Sequence, residues 1–127
     1  MLRACRRVLK PGGLTAFYTI FIPPGLSDKE YRRAARSRSH DVTSWRREHP
    51  ELLSASGFRN VEEIDLTDEF LRVAQAWLEA RERHADELTE VEGQADFAQR
   101  LKENRASVAA LRDGLLRRSL FVAERPR

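Results

Sequence analysis

From Leu14 to Ile22 the chain reads LTAFYTIFI, an unbroken run of β-branched, aromatic and aliphatic side chains. Such a run predicts a strand buried on both faces rather than one at a solvated edge. Ahead of it, Leu2, Cys5 and Val8/Leu9 fall on one helical stripe and Pro11-Gly12-Gly13 follows, predicting a helix over 1–9 that stops at the turn. Pro23-Pro24-Gly25 ends the strand, and Ser27-Asp28-Lys29-Glu30 has the form of a capping box, so a helix is expected over about 27–37. A looser stretch with Trp45 leads to a short helix over about 50–56, with Pro50 in its first turn, Leu52 and Leu53 facing inward, and Gly57-Phe58 as its stop.

Val61-Glu62-Glu63-Ile64-Asp65-Leu66 supplies a strand of mixed patterning, placed over 59–66. Thr67 is then expected to cap a helix whose first turn carries Asp68 and Glu69 and whose apolar stripe is Phe70, Val73, Ala74, Trp77 and Leu78. Gly93 separates it from another helix with Phe97, Leu101, Val108, Leu111 and Leu115 inward, giving a helical hairpin over 67–117. Asn104 and Arg105 fall near its seam, where polar residues fix register more often than they catalyse. A last strand is expected over 119–124, and nothing in the pattern suggests a repeat or a linker.

The 127 residues make one modest domain, and 41% hydrophobic with 34% charged residues is enough to bury a core. Cys5 is the only cysteine, which excludes an internal disulfide and a Cys-rich zinc cluster and fits a reducing, cytoplasmic compartment. No run approaches the length of a membrane span, and the basic start lacks the apolar stretch of a targeting leader. The net charge of +3 conceals segregation: residues 61–92 are strongly acidic, and 31–50 and 93–127 are basic. Consecutive acidic and basic helices suggest neighbours whose outer faces attract. Arg32, Arg33, Arg36, Arg38, Arg46 and Arg47, interleaved with Tyr31 and Trp45, form either a solvated or partner-covering face or a phosphate-contacting one. Nucleic acid is the less expected of these partners.

Arg7-Val8-Leu9-Lys10-Pro11-Gly12-Gly13 before an apolar strand closely resembles the helix, turn and fifth strand of class I S-adenosylmethionine-dependent methyltransferases. Glu51-Leu52-Leu53 through Ala55-Ser56-Gly57-Phe58-Arg59-Asn60-Val61 is similar to that family's next helix and sixth strand, and Ser119–Glu124 would be the seventh. The resemblance implies an α/β fold: a partial Rossmann-like sheet of strands five, six and seven, with the helical hairpin inserted between the last two. It also implies S-adenosyl-L-methionine as cofactor. Such folds hold it with a Gly-rich turn after the first strand and an acidic residue after the second. Neither is found here, because Gly12-Gly13 precedes a strand instead of linking a strand to a helix. The chain is therefore expected to be the family's C-terminal half, with Met1 inside what should be a helix, and not to bind the cofactor alone. The outer edge of strand 14–22 would lack its neighbour, so self-association, pairing with another chain or poor solubility is expected.

Ligands of open α/β sheets lie beyond the carboxyl ends of the strands. This directs attention to Tyr18, Thr19, Phe21, His40 and Trp45 as neighbours of a substrate pocket. Each also has a plainer reading: strand packing for Tyr18 and Thr19, core or lid packing for Trp45, and an exposed loop position for His40 beside Asp41. His40, His49 and His84 have no metal-ligand spacing, and Cys5 reads as a packed helix residue. The functional expectation is a methyltransferase section acting on a small-molecule acceptor when complete and inactive alone. The alternative is an Arg-rich binding module for nucleic acid or an acidic protein.

Overall fold

The apolar run forms β1 (Leu14–Phe21), and the C-terminal apolar run forms β4 (Arg117–Glu124), pairing with it antiparallel from Leu14↔Glu124 to Phe21↔Arg117. The computed structural model describes residues 1–37, 42–43 and 48–127; His40 and Trp45 lie outside these described residues. β3 (Arg59–Asp65) pairs antiparallel with the other edge of β4, and the short β2 (Val42–Thr43) pairs parallel with Ile20–Phe21, giving the order β2-β1-β4-β3. The expected bare edge of strand 14–22 is thus covered at its C-terminal end. Along Leu14–Tyr18 it has no strand partner among the described residues.

Helices cover both faces of this sheet. α1 (Leu2–Val8) and α3 (His49–Ala55) pack on one face, where Leu2, Cys5, Leu9, Leu53 and Phe58 meet Phe17, Phe21, Phe121 and Ala123. Phe121 is 1% exposed, and burying such a ring contributes about 2 kcal/mol. On the other face, α2 (Asp28–Ser37), α4 (Thr67–Arg83) and α6 (Gln94–Arg112) bring Ala34, Phe70, Ala74, Ala110 and Leu111 against Ile20 and Ile22.

That second layer stops short of the start of β1. Leu14 is 64% and Tyr18 58% exposed, so burial alternates along the strand instead of enclosing both faces as the apolar run predicts. A continuous apolar run reports what a strand can bury; the reach of α4 and α6, which ends at Ile20 and Ile22, decides what it does bury.

Local chemistry explains the other boundaries. The Ser27 Oγ accepts the Glu30 N–H at 3.2 Å while Glu30 accepts the Ser27 N–H at 3.3 Å, the reciprocal cap that starts α2. At Gly57 the backbone turns left-handed (φ 90°), and an added Cβ would stand 2.7 Å from Arg6 Nε, which itself donates to the Gly57 carbonyl. The section read as a two-helix hairpin over 67–117 holds three helices, because α5 (Ala85–Glu92) intervenes between His84 and Gly93, the latter at φ 89°. The bend lets Glu92 accept from Arg81 and Arg100, both at 2.9 Å, so the opposed charges meet across a turn. These guanidinium groups hold Glu92 below the usual carboxylate range, Arg81 foremost.

His49 is buried where α3 begins, its ring centroid 4.9 Å from those of both Phe21 and Phe121. Removal from water pushes its pKa below that of a free histidine, against the opposing pull of Glu63; Glu48 and Arg117 also line this crevice. The folded state therefore favours neutral imidazole, and the unfolded chain takes up the proton first as pH falls. The His49 contribution is complete above the unfolded value of about 6.5 and is lost as pH drops below it. His49→Phe is expected to flatten the fall in urea midpoint between about pH 6.5 and pH 5; an unchanged slope contradicts the assignment.

Candidate functional site

The start of α4 is held by residues of two neighbouring strands, Asp65 of β3 and Arg118 of β4. Asp65 Oδ1 accepts the Thr67 N–H at 2.9 Å and also the Thr67 hydroxyl. The Leu66 N–H donates to the Arg118 carbonyl at 2.9 Å, and the Arg118 N–H donates to Thr67 Oγ1 at 3.1 Å. The N-cap position is Leu66 rather than the expected Thr67; Asp65, just ahead of it, takes the first N–H of the helix, and the Thr67 hydroxyl is engaged by the neighbouring strand. Burial raises the Asp65 pKa, but the two Thr67 hydrogen bonds and the charge of Arg117 together hold it below the ordinary carboxylate value. Asp68 and Glu69 in the first turn add favourable charge at the positive end of the helix.

This clamp fixes Phe70 beside Arg118. In the β1–β4 register Arg118 stands opposite Ile20, on the sheet face that carries Tyr18. Its guanidinium carbon lies 5.0 Å from the Tyr18 ring centroid and 4.8 Å from that of Phe70, between two aromatic faces. Arg105 of α6 donates to Glu82 of α4 from Nε at 3.3 Å and Nη2 at 3.1 Å, tying the helices together beyond this point. Between β1, α4 and α6 a groove of about 580 Å³ remains, lined by Tyr18, Phe70, Val73, Trp77, Asn104 and Arg118, with Thr19, Ile20, Ala74 and Ser107. A second hollow of about 550 Å³ shares Trp77 and Asn104 and continues toward Leu88 and Val91.

Of the sequence candidates, Tyr18 and Thr19 line this groove. Phe21 lies on the opposite face, in the Phe17–Phe121–His49 cluster, and His40 and Trp45 lie outside the described residues. Arg32, Arg33 and Arg36 of the Arg-rich segment are on α2, where Arg33 pairs with Asp113. Sequence reasoning put Phe70 and Trp77 on one helical stripe but missed Arg118 and the groove that the three line together. Period-two counting along β4 would place Arg118 on the face opposite Phe121, but only pairing with β1 brings it to Tyr18.

Among the described residues, the groove wall holds no carboxylate, imidazole or thiol, and no cluster of His, Cys, Asp or Glu could hold a metal. Its chemistry is that of binding and orientation: a cation, a phenol, an amide and two hydroxyls on a mostly apolar wall.

No protein-family model matches the chain. Two curated relatives do. The chain is 30% identical over 97 residues to a phosphoethanolamine N-methyltransferase of Triticum aestivum, covering 76% of this chain and 19% of that protein. It is 30% identical over 118 residues to phosphoethanolamine N-methyltransferase 1 of Zea mays, covering 91% and 23%. Among solved structures, phosphoethanolamine N-methyltransferase 2 of Haemonchus contortus, in complex with phosphomonomethylethanolamine and S-adenosylhomocysteine, superposes with a TM-score of 0.82 at 17% identity, covering 99% of this chain and 29% of that one. A cyclopropane synthase from Mycobacterium tuberculosis gives 0.82 at 15% identity over 98% and 48%. These homologues and structural neighbours are S-adenosylmethionine-dependent methyltransferases, and the chain spans less than a quarter of the curated relatives it matches.

Asp65→Ala is expected to destabilise the chain by about 1 kcal/mol through loss of its hydrogen bonds to Thr67, read from chemical denaturation, with Asp65→Asn keeping most of it. Equal stability of Asp65→Ala and the parent would show that the clamp carries no weight.

Proposed function

We propose that this chain forms the acceptor-binding side of an S-adenosylmethionine-dependent methyltransferase, with the cofactor held by a complementary section of the same kind of fold. The observation that carries this is the open groove on the Tyr18 face, in a chain whose sequence relatives and structural neighbours are methyltransferases.

The residues present do not fit the cofactor. The Gly12 N–H donates to the Arg125 carbonyl and the Gly13 N–H to the Lys10 carbonyl, both at 2.8 Å, so the amides of the only glycine pair are used by the chain's own turn. The chain's contribution is to bind and orient. Methyl transfer rests largely on holding a nucleophile in line with the methyl group, so a groove without an acid–base pair suits the task. The bare edge of β1 along Leu14–Tyr18 is where the complementary section would pair. In this reading the chain alone transfers no methyl group, and its acceptor is a small molecule.

Titration of S-adenosylmethionine into the purified chain is expected to give no saturable binding. An extended protein, translated from the in-frame sequence upstream of Met1 and carrying a strand, a Gly-rich turn and a helix, is expected to bind it. Stop codons directly upstream, or saturable binding by the chain alone, would contradict the reading.

A further inference from the structure

Six arginines of the described residues, Arg33, Arg59, Arg81, Arg100, Arg105 and Arg117, each lie within ion-pair distance of a carboxylate. Arg118 has no carboxylate partner among the described residues, although it is half-buried and lines the groove between β1, α4 and α6. Its charge is held between the faces of Tyr18 and Phe70. Aromatic faces attract a cation but accept none of its five N–H bonds in the way a carboxylate or phosphate does.

Beside that cation the wall is apolar. Ile20, Val73, Ala74 and Trp77 line it, with Val73 48% and Trp77 73% exposed; past Trp77 a second hollow carries Leu88 and Val91 together with Arg81, His84 and Glu87. Large exposed apolar side chains grouped around a hollow, with one convergent charge, are the features of a ligand site.

We propose that this groove takes an amphiphilic anion: an acidic group on Arg118 and an extended apolar body along Val73 and Trp77. That this ligand is the methyl acceptor rests on the methyltransferase reading above; that it binds does not. Phosphoethanolamine, for which the relatives are named, carries the acidic group but no apolar body. It would leave the Val73–Trp77 wall in water.

The test is calorimetric titration of the full chain with decanoate, decyl phosphate, decanol and phosphoethanolamine, the alkyl ligands below their micelle concentrations. Decanoate or decyl phosphate is expected to bind about tenfold or more tightly than decanol, the worth of one charge-assisted hydrogen bond at a partly exposed site. Whichever of the two binds more tightly identifies the headgroup. Phosphoethanolamine is expected to bind more weakly than either. Arg118→Gln should erase the preference for the anion over decanol, Arg118→Lys should keep part of it, and Trp77→Ala, at an exposed position, should weaken all three alkyl ligands alike.

Decanol binding as tightly as decanoate, phosphoethanolamine matching decanoate, or a preference unchanged in Arg118→Gln would overturn the proposal. Should Arg118→Gln fail to fold, Arg118→Lys and Trp77→Ala decide it. None of these titrations contains S-adenosylmethionine. Anion binding without any methyl transfer by the extended protein would count against the methyltransferase reading alone.

Discussion

The antiparallel pairing of β1 with β4 is the constraint on which the rest depends. It joins Leu14 to Glu124 and Phe21 to Arg117, bringing the two ends of the chain together. Because side chains alternate across a strand, this register sorts every residue of the pair into one of two populations. Phe17, Phe21, Phe121 and Ala123 face α1 and α3 and make a filled core. Tyr18, Ile20 and Arg118 face the other way, toward the groove under α4 and α6. A slip of one residue would put Arg118 into the aromatic core and Phe121 into the groove. The cost of an unpaired buried guanidinium makes that alternative inaccessible.

The groove also depends on how α4 leaves the sheet. Asp65, Thr67 and the Arg118 backbone form one hydrogen-bonded knot at the junction of β3, β4 and α4. The same residue that anchors the helix through its main chain therefore projects the groove's cation through its side chain. Farther along, Arg105–Glu82 and the Arg81–Glu92–Arg100 group set α4, α5 and α6 against one another. The exposed Arg105–Glu82 pair contributes little stability, and the value of these pairs, the half-buried Arg81–Glu92 among them, lies in fixing which helix faces meet.

What the sequence disclosed follows from how local each device is. The Ser27–Glu30 capping box, the Gly57 stop and the Pro11-Gly12-Gly13 turn are decided within a few residues, and each sits where the pattern predicts it. The break at His84 was hidden in a uniformly charged helical stretch, since what favours it is the meeting of Arg81 and Arg100 at Glu92. The open face of β1 was also illegible, because LTAFYTIF is equally apolar on both sides and only the reach of the helices distinguishes them. Tyr18 and Thr19 were reachable as groove residues by counting toward the carboxyl end of the strand. Arg118 was not: its importance comes from a partner strand distant in sequence and from a ring on a helix.

The most direct test of this two-faced account is to watch the side-chain N–H signals while a saturating anionic amphiphile such as decanoate is added to nitrogen-labelled protein. The account predicts that Arg118 Nε–H and the Trp77 indole N–H shift, while Arg117 Nε–H and the His49 ring, on the Phe121 side of the sheet, stay in place. Shifts centred on Arg117 and His49, with Arg118 and Trp77 unmoved, would contradict it.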